Sequence, residues 1–202
     1  MKYQKGKAEK NKCAKRKAIY NSAIENFAKN GFYETSMSEI AKDAGVADGT
    51  LYLYYKNKHD LLIKVFEQMV NEKLDIIQEA IKKETNALNK LYISFQYHID
   101  LFTNNPSYVR FFVQEVRQSP DFYKRYPNFH PLKSYLDFLE KLIKEAIDQN
   151  LMKDMNPRLA AQMIYGSIDF LLSEWALNKE EIPLNNIYKT VIDIFHNGMK
   201  KD

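Results

Sequence analysis

All six prolines of this 202-residue chain (Pro106, Pro120, Pro127, Pro131, Pro157 and Pro183) lie after residue 105. The first half therefore lacks the residue that breaks helices most strongly, by removing an amide donor and clashing with the preceding turn. Glycine is just as scarce, with six. No run of alternating apolar and polar residues bounded by turn pairs marks a strand. The chain reads as all-α, with about nine helices. Twelve Phe, fourteen Tyr and one Trp supply the apolar area for a buried core in one or two domains. No stretch approaches the roughly 20 apolar residues of a membrane span, so no membrane partner is expected. The start, Met1-Lys2-Tyr3-Gln4-Lys5, has no apolar secretory region. Cys13 is the single cysteine, which excludes an internal disulfide and a cysteine-based metal site and points to a reduced, cytoplasmic setting.

Apolar residues recur at Ala18, Ile19, Ala23, Ile24, Phe27 and Ala28, predicting a helix from Ala14 to Asn30 that stops at Gly31. Ser36 or Ser38 caps a short helix holding Ile40, Ala41 and Ala44, which Gly45 ends. A second short helix is expected from Asp48 to Tyr55. Asn57-Lys58-His59-Asp60 opens a long amphipathic segment reaching Ile77. Further helices are expected over Leu88–Thr103, Ser107–Gln118, Leu132–Gln149, Pro157–Leu177 and Pro183–Met199, with Gln118–Pro131 as a packed loop or broken helix.

Charge is unevenly spread. Residues 1–17 hold eight basic groups and one acid, net +7, while the whole chain carries only +4. A basic arm on a slightly acidic body suits a polyanion, although a solvated tail gives the same pattern.

Two short helices joined through Gly45-Val46-Ala47 have the pattern of a helix-turn-helix, whose second helix enters the major groove of DNA. Ile40, Ala41, Ala44, Val46 and Leu51 form its small aliphatic core. Thr50, Tyr52, Leu53 and Tyr54 are left to face outward.

These residues carry a resemblance. Phe27, Gly31-Phe32-Tyr33, Thr35-Ser36-Met37, Glu39-Ile40-Ala41, Ala44-Gly45-Val46-Ala47, Gly49-Thr50-Leu51-Tyr52, Tyr54-Tyr55-Lys56-Asn57-Lys58 and Leu61 stand in the order found in the tetracycline-repressor (TetR) family. The chain resembles these transcription regulators over residues 19–62. The resemblance implies a basic arm (1–12), a DNA-binding domain (13–73, with the helix-turn-helix near 36–55) and an effector-binding and dimerisation domain (74–202). It implies a homodimer on double-stranded operator DNA, acting as a repressor released by a small apolar or acyl-type effector. Control by a partner protein is the alternative.

The implied DNA-contacting residues are Ser36, Ser38, Asp48, Gly49, Thr50, Tyr52, Leu53, Tyr54 and Lys58. Ser36, Ser38 and Thr50 offer hydroxyls near helix N-termini, and Gly49 permits close backbone approach. Tyr52 resembles a phosphate-contacting tyrosine of the family, Tyr54 falls where the family has another DNA-facing ring, and Lys58 is a phosphate clamp. Leu53 suits a thymine methyl group. Tyr54 covering the core and Leu53 as an isolated surface residue are the plain alternatives. Ala47 stands where the family often has Ser, which leaves the second helix without a hydroxyl cap. Asp48 favours that N-terminus by charge but repels phosphate, so it reads a cytosine amino group or avoids the backbone.

In the second domain the stripes Ala160, Ile164, Ile168, Leu171, Trp175 and Ile187, Val191, Ile194, Phe195 are the dimer candidates, though burial within one subunit explains them equally. Phe66, Met69, Phe95, Phe102, Phe111, Phe112, Tyr165 and Asp169 are the expected effector pocket, and a packed core is again the alternative. The stretch Arg158–Asp169, with Trp175, is similar to the corresponding stretch of Bacillus fatty-acid-degradation repressors, which implies an acyl-CoA effector. No catalytic site, metal site or cofactor is expected. The four histidines are scattered, and neither a metalloprotease spacing nor a nucleophile elbow nor a glycine-rich phosphate loop is present.

Overall fold

Lys, Ala, Gln and Glu favour the helix, and the first thirty residues combine them with no proline. In the computed structural model, helix α1 accordingly runs Lys2–Glu34. It begins well before the expected Ala14, because the charged residues carry no apolar stripe to reveal it yet favour helical backbone. The structure describes residues 2–105, 107–111, 120–178 and 184–200, with side chains described from Lys10 onward apart from those of 102, 103, 120, 121, 176–178, 184, 185, 187 and 188. Gly31 breaks α1 at φ 78° and ψ 164°, a conformation that side chains resist.

Helix α2 spans Met37–Asp43 with Ser36 as its N-cap, and Gly45, at φ 65°, turns the chain away. Helix α3 spans Asp48–Tyr52 only. It stops short of the expected Tyr55 because the Leu51 carbonyl accepts from both Tyr54 and Tyr55 amides (3.0 and 3.1 Å), closing the turn. Leu53 and Tyr54 therefore follow the helix rather than belong to it.

Helix α4, Lys58–Ile81, holds 24 residues, about 36 Å at 1.5 Å per residue. Its N-terminus is capped by Asn57, whose side-chain oxygen accepts from the Asp60 amide at 2.9 Å. Two compact units result, Met1–Gln68 with Arg110–Phe129 and Met69–Val109 with His130–Asp202. Helix α4 gives its first part to one unit and its second part to the other.

The first unit is filled by Ile19, Ile24, Phe27, Ile40, Leu51, Leu61, Leu62, Phe66 and Phe111. Phe111, from helical residues 107–111, stacks on Phe27 at 6.0 Å and lies 5.9 Å from Phe66. A short helix, α6, Pro120–Arg125, stands in the stretch expected as a loop or broken helix.

The second unit is built from α5 (Ala87–Asn104), α7 (Lys133–Asp148), α8 (Pro157–Asn178) and α9 (Leu184–Met199). Helix α7 packs on α5 and α8, and α9 packs on α8 and α5. Gln149, which caps α7, donates to the Thr85 carbonyl and accepts from the Ala87 amide, both at 2.9 Å. Among the described residues no strand forms, and no helix is long and apolar enough to cross a membrane.

Candidate nucleic-acid interface

The helix-turn-helix is locked to α1 by polar groups that the sequence pattern does not reveal. Ser22 Oγ donates to the Ile40 carbonyl at 2.9 Å, and Asn26 Nδ2 donates to Asp43 Oδ2 at 2.9 Å. Both side chains are buried, where an unpaired polar group is costly, so the bonds fix the angle of α2 against α1.

Ser36 forms a capping box. Its hydroxyl accepts from the Glu39 amide at 3.1 Å, and its own amide and hydroxyl donate to Glu39 Oε2 at 2.8 Å. The Ser36 amide, then its hydroxyl, hold the Glu39 carboxyl below the usual carboxylate range. The Ser36 hydroxyl is thus occupied within the protein.

Ser38 Oγ donates to Asp48 Oδ2 at 2.5 Å, tying the first turn of α2 to the start of α3. Asp48 thereby has an occupation that neither expectation covers: one of its oxygens is engaged inside the motif. Ala47 is the N-cap of α3 and makes no side-chain cap, as its sequence implies. Gly49 has open space where a side chain would point.

Leu51 and Tyr55 are buried, while Tyr52 is exposed and Leu53 is 82 % exposed. Thr50 and Tyr54 are half-buried. The Arg16 guanidinium lies over the Tyr54 ring, 5.7 Å from its centre. Lys58 Nζ donates to the carbonyls of Tyr33 (2.9 Å) and Thr35 (2.8 Å) and sits 4.6 Å above the Phe32 ring. Two of its three protons therefore hold the chain entering α2.

Residues 19–65 match the family model described as bacterial regulatory proteins, tetR family, and residues 66–198 match the YsiA-like protein C-terminal region of TetR regulators. The chain belongs to the TetR family.

It is a DNA-binding transcriptional regulator of that family. The fatty acid metabolism regulator protein of Bacillus subtilis strain 168 is 34% identical over 172 residues, covering 85% of this chain and 88% of its own. Among solved structures, FadR from Bacillus subtilis in complex with stearoyl-CoA matches with a TM-score of 0.83 at 33% identity, covering 91% of this chain and 98% of that one. The fatty acid degradation regulator FadR from Bacillus halodurans matches with the same TM-score at 29% identity and the same coverage.

In this TetR-family chain the expected dimer stripe on α8 is turned inward at its first part and only partly open at its second. Ile164 and Ile168 are 2% and 4% exposed within a single chain, and Leu171 and Trp175 are half-buried. The opposite face carries Leu159, Met163 and Phe170 in solvent, with Met163 and Phe170 at 56% and 57%. Helix α8 is apolar on both faces, and a stripe read from sequence cannot tell which face turns inward. On α9, Val191 is buried, Phe195 is half-buried and Ile194 is exposed. The side chain of Ile187 lies outside the described residues.

The expected effector residues divide between the units. Phe66 and Phe111 pack in the core of the first, while Met69, Phe95 and Tyr165 are buried in the second and Asp169 is half-buried there. Phe112 and the side chain of Phe102 lie outside the described residues. Around Tyr165 stands a polar cluster that the sequence did not single out. Lys73 Nζ meets His98 Nδ1 and lies 5.0 Å over the Tyr135 ring, and the Tyr135 and Tyr165 rings are 5.8 Å apart. Among the described residues the buried Tyr135 hydroxyl has no hydrogen-bond partner.

Proposed function

We propose that the protein is a homodimeric repressor that holds operator DNA with α3 and the turn after it, and leaves it on binding a long-chain acyl-CoA. The match of both units to the stearoyl-CoA complex of the Bacillus subtilis regulator carries the reading. Tyr52 and Thr50 supply hydroxyls for phosphate, Leu53 presents an apolar surface to a thymine methyl, and Gly49 lets the strand come close. Ser38 contributes its backbone amide at the start of α2, since its hydroxyl is engaged, while Ser36, whose amide and hydroxyl both hold Glu39, serves as the cap that shapes this edge. Lys58 keeps one proton for a phosphate beyond its two carbonyls, and Asp48 acts through Ser38. Tyr54, under Arg16, lies at the edge of this surface.

The dimer forms through the exposed face of α8, where Leu159, Met163, Gly166 and Phe170 recur at helical spacing, with Ile194 of α9. The second unit takes the acyl chain among Met69, Phe95 and Tyr165, beside half-buried Asp169. Acyl-CoA acts through α4: a ligand against its second part tilts a helix whose first part carries Lys58. Selection of bound duplexes from random DNA, with and without stearoyl-CoA, tests the reading. A palindromic consensus recovered only without ligand supports it, and Leu53→Ala should shift the base preference at one position of each half-site. Enrichment of no sequence contradicts it. An unaltered selection in stearoyl-CoA favours control by a partner protein.

A further inference from the structure

We propose that the basic start of α1 is a second DNA-contacting element, a rigid helical ridge that takes phosphates flanking those held by the helix-turn-helix. The proposal rests on the DNA-binding reading and extends it.

The residues up to Lys17 form continuous helix from Lys2, and Lys10 to Lys17 are all exposed. Among the described side chains of α1, the first buried one is Ile19. The eight residues Lys10 to Lys17 therefore stand in solvent, a length of about 12 Å, and the helix that carries them runs on from Lys2. Residues 1–17 are net +7 and contain no Leu, Ile, Val, Phe or Trp. A helix that seats on a protein groove or in a lipid surface needs an apolar face, and this one has none to offer. Duplex DNA, by contrast, carries one charge per about 1.7 Å of its axis.

The ridge is also aimed. The Arg16 guanidinium lies over Tyr54, which directly follows in sequence Leu53, the most exposed apolar residue of the helix-turn-helix. Lys12 lies one turn before Arg16 on the same face. A preformed helix loses less freedom on binding than a flexible arm would, and its charges arrive in fixed register.

The test uses the full chain, two variants of it, and the duplex recovered by selection, in two lengths: trimmed to the protected core, and with ten added base pairs on each side. Lys5, Lys7, Lys10 and Lys12 are changed together to Gln. Separately, Ala14→Pro breaks the helix before the core begins while leaving every charge in place. On the long duplex at low salt, the Gln variant should lose about tenfold or more in affinity. Its slope of log affinity against log salt should flatten by about 0.9 for each phosphate that it no longer neutralises. Ala14→Pro should show a loss in the same direction, and on the trimmed duplex all three proteins should bind alike. Thermal melts check that both variants keep the folded core.

Equal curves on the long duplex would overturn the proposal. So would an Ala14→Pro variant that binds like the parent while the Gln variant does not, since the segment would then be a flexible arm. Losses of equal size on both duplexes would place the bound phosphates inside the core site and likewise overturn it, as would binding to phosphatidylglycerol vesicles that the Gln change abolishes while DNA affinity stays intact. If the parent chain selects no sequence, the regulator reading fails first, and that result is distinct from any of these.

Discussion

The Ser38 hydroxyl donates to the Asp48 carboxylate across 2.5 Å, joining the first turn of α2 to the first turn of α3. A carboxylate at the head of a recognition helix is a liability near phosphate, and this bond turns it into a strap. Ser38→Ala should free the carboxylate to turn toward the DNA and weaken binding to all sequences. Asp48→Asn, in the Ser38→Ala background, should recover most of that loss. A double-mutant cycle read by fluorescence anisotropy should give a coupling of roughly 0.5–3 kcal/mol, and additivity would mean the strap has no role in binding.

Lys58 holds the chain between α1 and α2 through the carbonyls of Tyr33 and Thr35. Lys58→Met keeps the stem over Phe32 and removes both bonds. The melting transition should fall by an amount equivalent to roughly 1 kcal/mol, since hydrogen bonds from a charged donor exceed neutral ones but this site is partly open to water. A lysine acting only on phosphate would leave thermal stability of the free protein unchanged.

The two faces of α8 should separate cleanly under mutation. Met163→Glu and Phe170→Glu should yield a folded monomer by sedimentation analysis, since both side chains stand in solvent in the single chain. Ile164→Glu buries a charge inside one subunit and should abolish folding itself. A dimer that survives both exposed-face changes would move the interface elsewhere.

Burial drives the Lys73 ammonium well below the usual lysine range, and burial with the Lys73 charge drives His98 well below the usual histidine range. Unfolding restores both, so the unfolded chain binds more protons at any pH between the folded values and the ordinary ones. Stability therefore falls as pH drops below the ordinary lysine value, and more steeply below about 6.5, where unfolded histidine also protonates. From about pH 8 to pH 5.5 the melting temperature should decline, each such group adding up to about 1.4 kcal/mol per pH unit. Lys73→Met should make the decline shallower. An identical pH profile for the variant would show that Lys73 stays charged in the fold.

Much of the DNA-binding motif was legible because its signals are local. Gly31, Ser36, Gly45 and the aliphatic residues Ile40, Ala41 and Leu51 specify breaks, a cap and a core within a few residues of themselves. The rest depends on distant partners. Nothing near Lys58 in sequence shows that Gly31 will swing the Tyr33 and Thr35 carbonyls against it. The buried pair Lys73 and His98 sits 25 residues apart on different helices, a distance no periodicity covers. The start of α1 carries no apolar stripe, and from Lys10 to Lys17 every side chain is exposed, so no periodicity marks that part of the helix.

In the proposed function acyl-CoA and operator DNA oppose each other through one protein. Isothermal titration of stearoyl-CoA into the free dimer and into the dimer saturated with its selected operator tests it most directly. A hundredfold release of DNA corresponds to about 2.7 kcal/mol of coupling, and thermodynamic reciprocity requires the same hundredfold weakening of acyl-CoA binding by DNA. The expected result is that weakening. Equal stearoyl-CoA affinities in the two titrations would contradict it.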